Sequence, residues 1–162
     1  MGDQKPPRAV GEREILQAAW QYQRDSFVRK VTGVSEDDAR RSPVDSGTTL
    51  LWLTQHVTFA ERIWVRQRFG GEDLIDGRDM HVVEGVVRSS TLTEAITTYE
   101  AEWSLVDSIV GAGDLDATIG DPNGGEVPVT LRWIVVHLIE EVARHAGHAD
   151  ILRELIDGDT GR

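Results

Sequence analysis

The last long helical pattern in the chain carries titratable side chains on the side that a folded protein would bury. Between Leu131 and Leu155, apolar residues recur at the spacing of an α-helix. At about 100° per residue, one sector of this helix contains Ile134, His137, Leu138, Glu141, His145, His148 and Leu152. Charges at Glu140, Asp150 and Glu154 already make the opposite side polar. Inward carboxylates and imidazoles are costly unless a metal ion or another polar group compensates for their desolvation.

Three more segments have helical spacing and helix-end signals. The predicted long helices are Glu12–Val31, Leu50–Phe69, a helix from a Thr91–Glu94 capping box to Gly111, and a helix from a Thr130 cap to about Ile156. A short helix follows a cap at Ser35 and stops before Pro43. The pattern predicts an all-α four-helix bundle with long connections and one short extra helix between the first and second long helices.

The remaining segments divide the chain into one domain and its ends. Residues 1–10 are predicted to be a flexible lead-in, 11–158 a single bundle domain, and 159–162 a C-terminal tail. Residues 72–89 read as a long connection. Residues 114–128 read as a loop, in which 121–125 give the strongest turn signal of the chain.

Charge and composition restrict the partners. The net charge of −11 disfavours nucleic acid and anionic membrane surfaces, which both attract basic patches. No apolar run has the length of a signal peptide or a membrane span, which predicts a cytoplasmic protein. Because the chain has no cysteine, any thiol chemistry needs a thiol from outside.

Glu141 and His145 can bind one metal ion together, because side chains four residues apart leave adjacent turns of one helix face. His56 lies among apolar positions of the second long helix and would supply a third ligand if the two helices are neighbours. Two histidines and one carboxylate leave coordination positions open, as in catalytic sites. The alternative is a hydrogen-bonded network of glutamate and histidines that includes Arg144.

The other conspicuous residues have simpler interpretations. His137 and His148 could be ordinary polar residues around the network, and His81 stands apart in the unassigned segment. The five tryptophans fall in or beside helical stripes, which favours roles in the bundle core.

Three stretches, 47–57, 68–73 and 131–154, resemble the DinB superfamily, and most closely an uncharacterised actinobacterial branch related to mycothiol-dependent maleylpyruvate isomerase. The resemblance implies a metal-binding four-helix bundle that can form a homodimer. It also implies the ligand set His56, Glu141 and His145, with glutamate as in the isomerase branch. Zinc is the expected ion, and nickel, iron or manganese would suit the same donors. His148 is placed beside the site rather than among the ligands.

The resemblance further implies a thiol-dependent enzyme. A low-molecular-weight thiol such as mycothiol would lose its proton on the ion and attack an electrophilic small molecule. His148 or His137 would carry protons, and Arg144 or Arg153 would meet an anionic thiol or substrate. The catalytic prediction rests on His148 and Arg144. Two alternatives use the same ligands: a metal-dependent hydrolase, and a non-enzymatic bundle in which the metal clips helices around a small ligand or a partner.

Overall fold

Helices make up nearly all of the regular structure. The computed structural model describes residues 5–8, 10–74, 91–121 and 127–160. Its elements are α1 (Glu12–Val31), α2 (Glu36–Arg40), α3 (Leu50–Glu61), a π-helical segment here called π1 (Arg62–Phe69), α4 (Leu92–Ala112), β1 (Thr118–Ile119), β2 (Val129–Thr130) and α5 (Leu131–Asp157). The predicted all-α bundle and its short extra helix are confirmed.

Side-chain caps begin four of the helices. Ser35 caps α2, Thr91 and Glu94 form the predicted capping box of α4, and Thr130 caps α5 through the backbone N–H of Trp133. Thr49 caps α3 by accepting a hydrogen bond from the backbone N–H of Trp52. These caps satisfy backbone donors that a helix start otherwise leaves without partners.

The second long helix departs from its predicted form. It was expected to be one helix from residue 50 to 69, but it changes at Glu61 into π1, where the Gly70 N–H bonds the Val65 carbonyl at 2.8 Å. The buried carboxylate of Glu102 on α4 accepts hydrogen bonds from Arg62 and Arg66 of π1, each at 2.6 Å. Two arginines of π1 are therefore tied to one point on α4.

The segment predicted as a loop before the last helix supplies one strand of a two-stranded sheet, and the second strand lies directly before that helix. Thr118 pairs with Thr130, and Ile119 pairs with Val129, in antiparallel register. A Cβ atom on Gly113 would lie 2.6 Å from the Leu131 side chain, so glycine permits the close approach between the end of α4 and the start of α5. The strongest predicted turn lies largely outside the described residues, as does most of the connection predicted at 72–89.

Helix pairing brings the two predicted ligand-bearing elements together. α1 packs mainly against α5, while α3 packs against both α4 and α5. Large buried side chains at this core include Trp20, Phe27, Tyr99, Leu50, Leu53, Leu131, Ile134 and Leu138. The neighbour relation that a shared site on α3 and α5 requires is therefore present. No described helix is long and apolar enough to cross a membrane.

A charged network that the sequence patterns did not reveal crosses the core. Glu61 is fully buried and accepts two hydrogen bonds from Arg24, at 2.9 and 2.6 Å, together with bonds from Trp20 Nε1 and the Tyr99 hydroxyl. Arg24 also contacts Asp107 on α4 at 2.8 Å. Burial acts to lower the pKa of Arg24, but Glu61 and Asp107 outweigh burial and raise it, so the guanidinium stays charged. This network links α1, α3 and α4.

Candidate metal centre

Three side chains from α3 and α5 converge on one carboxylate oxygen. Oε1 of Glu141 lies 2.9 Å from Nε2 of His56 and 3.1 Å from Nε2 of His145. One potential ligand atom from each of the three residues lies within 4.8 Å of the other two. The structure thus brings together the three residues that were predicted as ligands.

Local sequence explains why these side chains meet. Leu53 and Val57 anchor α3 in the core on either side of His56, and Leu138 and Val142 anchor α5 beside Glu141. The i, i+4 spacing puts His145 one helical turn beyond Glu141. All three side chains are therefore fixed by core packing rather than by a loop.

The site is partly enclosed. The exposed side-chain fractions are 17% for His56, 15% for Glu141 and 10% for His145. Burial acts to raise the pKa of Glu141, but the hydrogen bond with His56 and the charge and hydrogen bond of His145 outweigh it, so this pKa lies below its usual value. Burial lowers the pKa of His145, and His56 lowers it further, which favours the neutral imidazole that metal ions require. An ionised carboxylate and a neutral imidazole are both ready to act as ligands.

An aromatic wall supports the two imidazoles. The indole of Trp52 stacks on His56 with ring centroids 4.9 Å apart and planes 16° apart. Its centroid lies 6.4 Å from that of the His145 ring, with the two planes 78° apart. The sequence placed Trp52 in or beside a core stripe. Its position four residues before His56 was the available signal for this contact.

Comparison with known proteins identifies the family of the chain. The family model described as mycothiol-S-transferase matches residues 15–158. The chain belongs to the mycothiol-S-transferase family. This family lies within the DinB-like superfamily, so the predicted resemblance is confirmed.

A solved structure is similar to this family member in fold. The crystal structure of a conserved protein from Enterococcus faecalis superimposes with a TM-score of 0.70 at 14% sequence identity, covering 93% of this chain and 100% of that one. At this identity the likeness concerns the fold alone. No curated protein sequence matches the chain.

His148 lies outside the triad of this mycothiol-S-transferase family member. The periodicity placed it on the inward sector, but the structure exposes it, with its Nδ1 atom 3.3 Å from Nδ1 of His145. The two ligand-bearing elements run antiparallel, since His56 meets Glu141 while Trp64 meets Trp133. His148 is consequently level with the start of α3, where that helix no longer covers α5.

The other predicted polar residues lie in three different environments. The exposed guanidinium of Arg144 lies 3.7 Å from Oε2 of Glu141, which is an ion pair beyond hydrogen-bond length. His137 stacks on Trp133 instead of joining the triad. Arg153 donates to the carbonyls of Lys30 and Thr32 at the end of α1, so it has a structural role and we do not retain it as a substrate contact.

The three donor groups of this family member suit a divalent metal ion. Two imidazole nitrogens and one carboxylate oxygen are a common catalytic set for zinc, and they also accept nickel, iron or manganese. The atoms that meet in hydrogen bonds, the two Nε2 atoms and Oε1, are the atoms that would coordinate the ion. Among the described residues, this group is the one whose possible ligand atoms lie close enough together.

Proposed function

We propose that this protein is a metal-dependent thiol S-transferase. His56, Glu141 and His145 would hold a divalent ion, with zinc as the first expectation. A low-molecular-weight thiol, mycothiol by family, would be transferred to an electrophilic small molecule. The convergence of three ligand atoms within 4.8 Å, in a chain of the mycothiol-S-transferase family, carries this proposal.

The ion would supply one kind of chemistry. A divalent ion at these residues lowers the pKa of a bound thiol and so provides a thiolate nucleophile at neutral pH. The protein encloses the site and orients its ligands, because Trp52 stacks on the ring of His56 and the core residues fix both helices. Since the chain has no cysteine, its own side chains would not compete with the external thiol.

We assign proton transfer to His148. If His145 binds the ion through Nε2, its remaining proton lies on Nδ1, which faces Nδ1 of His148 at 3.3 Å. This contact would fix the tautomer of His145. The exposed imidazole of His148 would take up the proton that the thiol loses and release it to water.

We assign binding of an anionic group to Arg144. Its guanidinium is 64% exposed and makes only a long contact of 3.7 Å with Glu141. It can therefore turn towards a carboxylate of the thiol or of the substrate without breaking a short hydrogen bond. Planar, two-pronged recognition of carboxylates is the usual strength of arginine.

The number of protein ligands distinguishes the proposed catalytic site from a purely structural metal site. A closed structural site normally has four protein ligands, whereas a catalytic site keeps one position open. His148 contacts His145 rather than the shared carboxylate oxygen, so it does not complete a fourth position in the described geometry. A hydrolase would use the same ligands and is distinguished by its indifference to thiols.

The deciding experiment measures thiol conjugation. Protein prepared without a nickel column and loaded with zinc is mixed with mycothiol and 1-chloro-2,4-dinitrobenzene, and the release of chloride and formation of the thioether are followed. We expect a rate above the uncatalysed reaction that requires both metal and thiol. Glu141→Gln should abolish this rate, and Glu140→Gln, which alters an exposed glutamate next to it on α5, should preserve it.

Either of two results would contradict the proposal. One is a rate equal to the uncatalysed rate with mycothiol and with bacillithiol. The other is metal-dependent cleavage of ester substrates that added thiol does not change, which would identify a hydrolase. The cytoplasmic location, the homodimer and the domain limits stay predictions beside this proposal.

A further inference from the structure

A pocket beside the metal centre has no part in the chemistry proposed above. Its volume is about 310 Å³, and its lining residues are Arg40, Gly47, Thr49, Leu51, Trp52 and Gln55. They come from the end of α2, the loop before α3 and the first two turns of α3. A volume of this size accommodates a small ligand or one part of a larger ligand.

Two of the lining residues connect this pocket to the metal centre. Trp52 stacks on His56 with ring centroids 4.9 Å apart, and Gln55 directly precedes His56 in the chain. Leu51 and Gln55 lie about 100° around α3 from Trp52 and His56, respectively, so the pocket and the centre border neighbouring faces of this helix. A group that packs on the half-buried indole at about 4 Å lies within about 9 Å of the His56 ring. Trp52 is thus common to both sites.

The lining combines an apolar wall with hydrogen-bonding groups. Leu51 and Trp52 supply the wall, and polar atoms come from Arg40, Thr49 and Gln55. The Thr49 hydroxyl accepts a hydrogen bond from the backbone N–H of Trp52, so its own O–H can still donate. Arg40 and Gln55 both have partners within the protein, but a guanidinium has five N–H donors and an amide has two donors and a carbonyl, which leaves each with capacity for a ligand. Such a lining suits a ring that is apolar on its faces and carries hydroxyl groups at its edge.

We propose that this pocket binds the hydroxyl-rich body of the thiol cosubstrate. The proposal rests on the transferase function. Mycothiol carries its sulfur on a cysteine arm that is attached to an amino sugar and a cyclitol, so the sulfur and the hydroxyl-rich rings occupy different positions. With a ring against Leu51 and Trp52, its hydroxyl groups reach Gln55 and Arg40, and the arm crosses the edge of the indole towards the metal centre. The pocket then selects the thiol that the centre activates.

The first test measures binding of S-methylmycothiol, which keeps the rings and lacks the free thiol. In a ¹H–¹⁵N spectrum, the five tryptophans give five indole resonances, and the spectrum of Trp52→Phe identifies the resonance of Trp52 by its loss. We expect this resonance to shift saturably, and that of Trp20, which is buried against Glu61, to stay in place. N-acetyl-S-methylcysteine, which has the arm without the rings, should give no saturable shift at the same concentrations.

Variants of the polar lining test which side chains hold the rings. Arg40→Gln should weaken the binding of S-methylmycothiol about tenfold, as expected for the loss of one hydrogen bond from a charged donor. Arg41→Gln is the matched control, because Arg41 pairs with Asp38 and does not line the pocket, and it should bind as the wild type does. Gln55→Leu removes an amide from the pocket and should weaken binding by a similar factor, with urea denaturation showing that this variant is folded.

The same titration with Glu141→Gln separates the pocket from the metal centre. Binding of the thioether through its rings does not require an ion, so this variant should bind S-methylmycothiol as the wild type does even if no transfer activity exists. The proposal would be overturned by the absence of a saturable shift at Trp52, by equal binding of N-acetyl-S-methylcysteine, or by unchanged binding in both Arg40→Gln and Gln55→Leu.

A kinetic comparison tests the assignment to the thiol. Arg40→Gln should raise KM for mycothiol about tenfold and leave KM for 1-chloro-2,4-dinitrobenzene unchanged. With cysteine as the thiol, which has no sugar ring, this variant and the wild type should have equal rates. A rise in KM for the acceptor instead of the thiol would show that the pocket holds the electrophile and would contradict the assignment.

Discussion

At the scale of single residues, Glu141 is the side chain that both imidazoles of the candidate metal centre contact. Its Oε1 atom is shared by Nε2 of His56 and Nε2 of His145, and these contacts keep its pKa below the usual value although burial acts in the opposite direction. The i, i+4 spacing of Glu141 and His145 was readable in the sequence, since it follows from helix geometry alone. The exposure of His148 was not, because it depends on where α3 begins relative to α5.

The first residue-scale prediction concerns His148. His148→Ala should keep the metal content of the wild type, because the ligand atoms belong to other side chains, and should lower the rate of thiol transfer by about 100-fold, the usual loss when a proton carrier is removed. Metal analysis and initial rates on the same preparation provide the measurement. Restoration of part of the rate by added imidazole would support proton transfer over a structural role.

Loss of the metal from His148→Ala would contradict this assignment. It would show that His148 is itself a ligand or that its contact with His145 is needed to hold the site. Glu140→Gln, which alters another exposed residue of α5, is the matched control for surface effects.

At the scale of elements, the buried pair of Arg24 and Glu61 sets how α1 meets α3. Both side chains are essentially inaccessible, with 1% and 0% exposure, and Trp20 and Tyr99 add hydrogen bonds to the carboxylate. Glu61 is also the last residue of α3 before π1. The pair therefore joins two helices at the point where the backbone changes its hydrogen bonding.

Replacing one residue of this pair should lower the free energy of unfolding more than replacing both. Glu61→Leu leaves a buried guanidinium with Asp107 as its remaining carboxylate, and we expect a loss of about 3–5 kcal/mol in the free energy of unfolding. The double variant Arg24→Met with Glu61→Leu should recover most of this loss, since no buried charge remains. Urea denaturation of the two variants and the wild type measures the difference. A single variant within about 1 kcal/mol of the wild type would show that the pair is not a buried, coupled unit.

Caps and apolar spacing predicted the helices well, since both are local properties. α1 begins and ends at the predicted residues, and the predicted capping box at Thr91 starts α4. π1 could not be predicted, because eight residues are too few for a spacing pattern to separate a π-helix from an α-helix. The pairing of Arg24 with Glu61 could not be predicted either, because the residues are 37 positions apart and no local pattern relates them.

At the scale of the whole molecule, the bundle places the metal centre and the contact between Trp64 and Trp133 along one pair of antiparallel elements. α3 with π1 supplies His56 and Trp64, and α5 supplies the residues that face them. The predicted ligands came together because each lies on a stripe that the fold packs inward. Trp133 was wrongly expected in the core, since a helical stripe does not show where the neighbouring element stops covering it.

Metal content tests the central claim most directly. The protein is prepared without a nickel column, incubated with zinc, separated from free ions and analysed by mass spectrometry against protein concentration. We predict close to one bound ion per chain for the wild type, as expected for a single mononuclear site, and almost none for Glu141→Ala with its helical circular dichroism intact. A wild type that remains empty after incubation, or a Glu141→Ala variant that keeps full occupancy, would contradict the proposed centre.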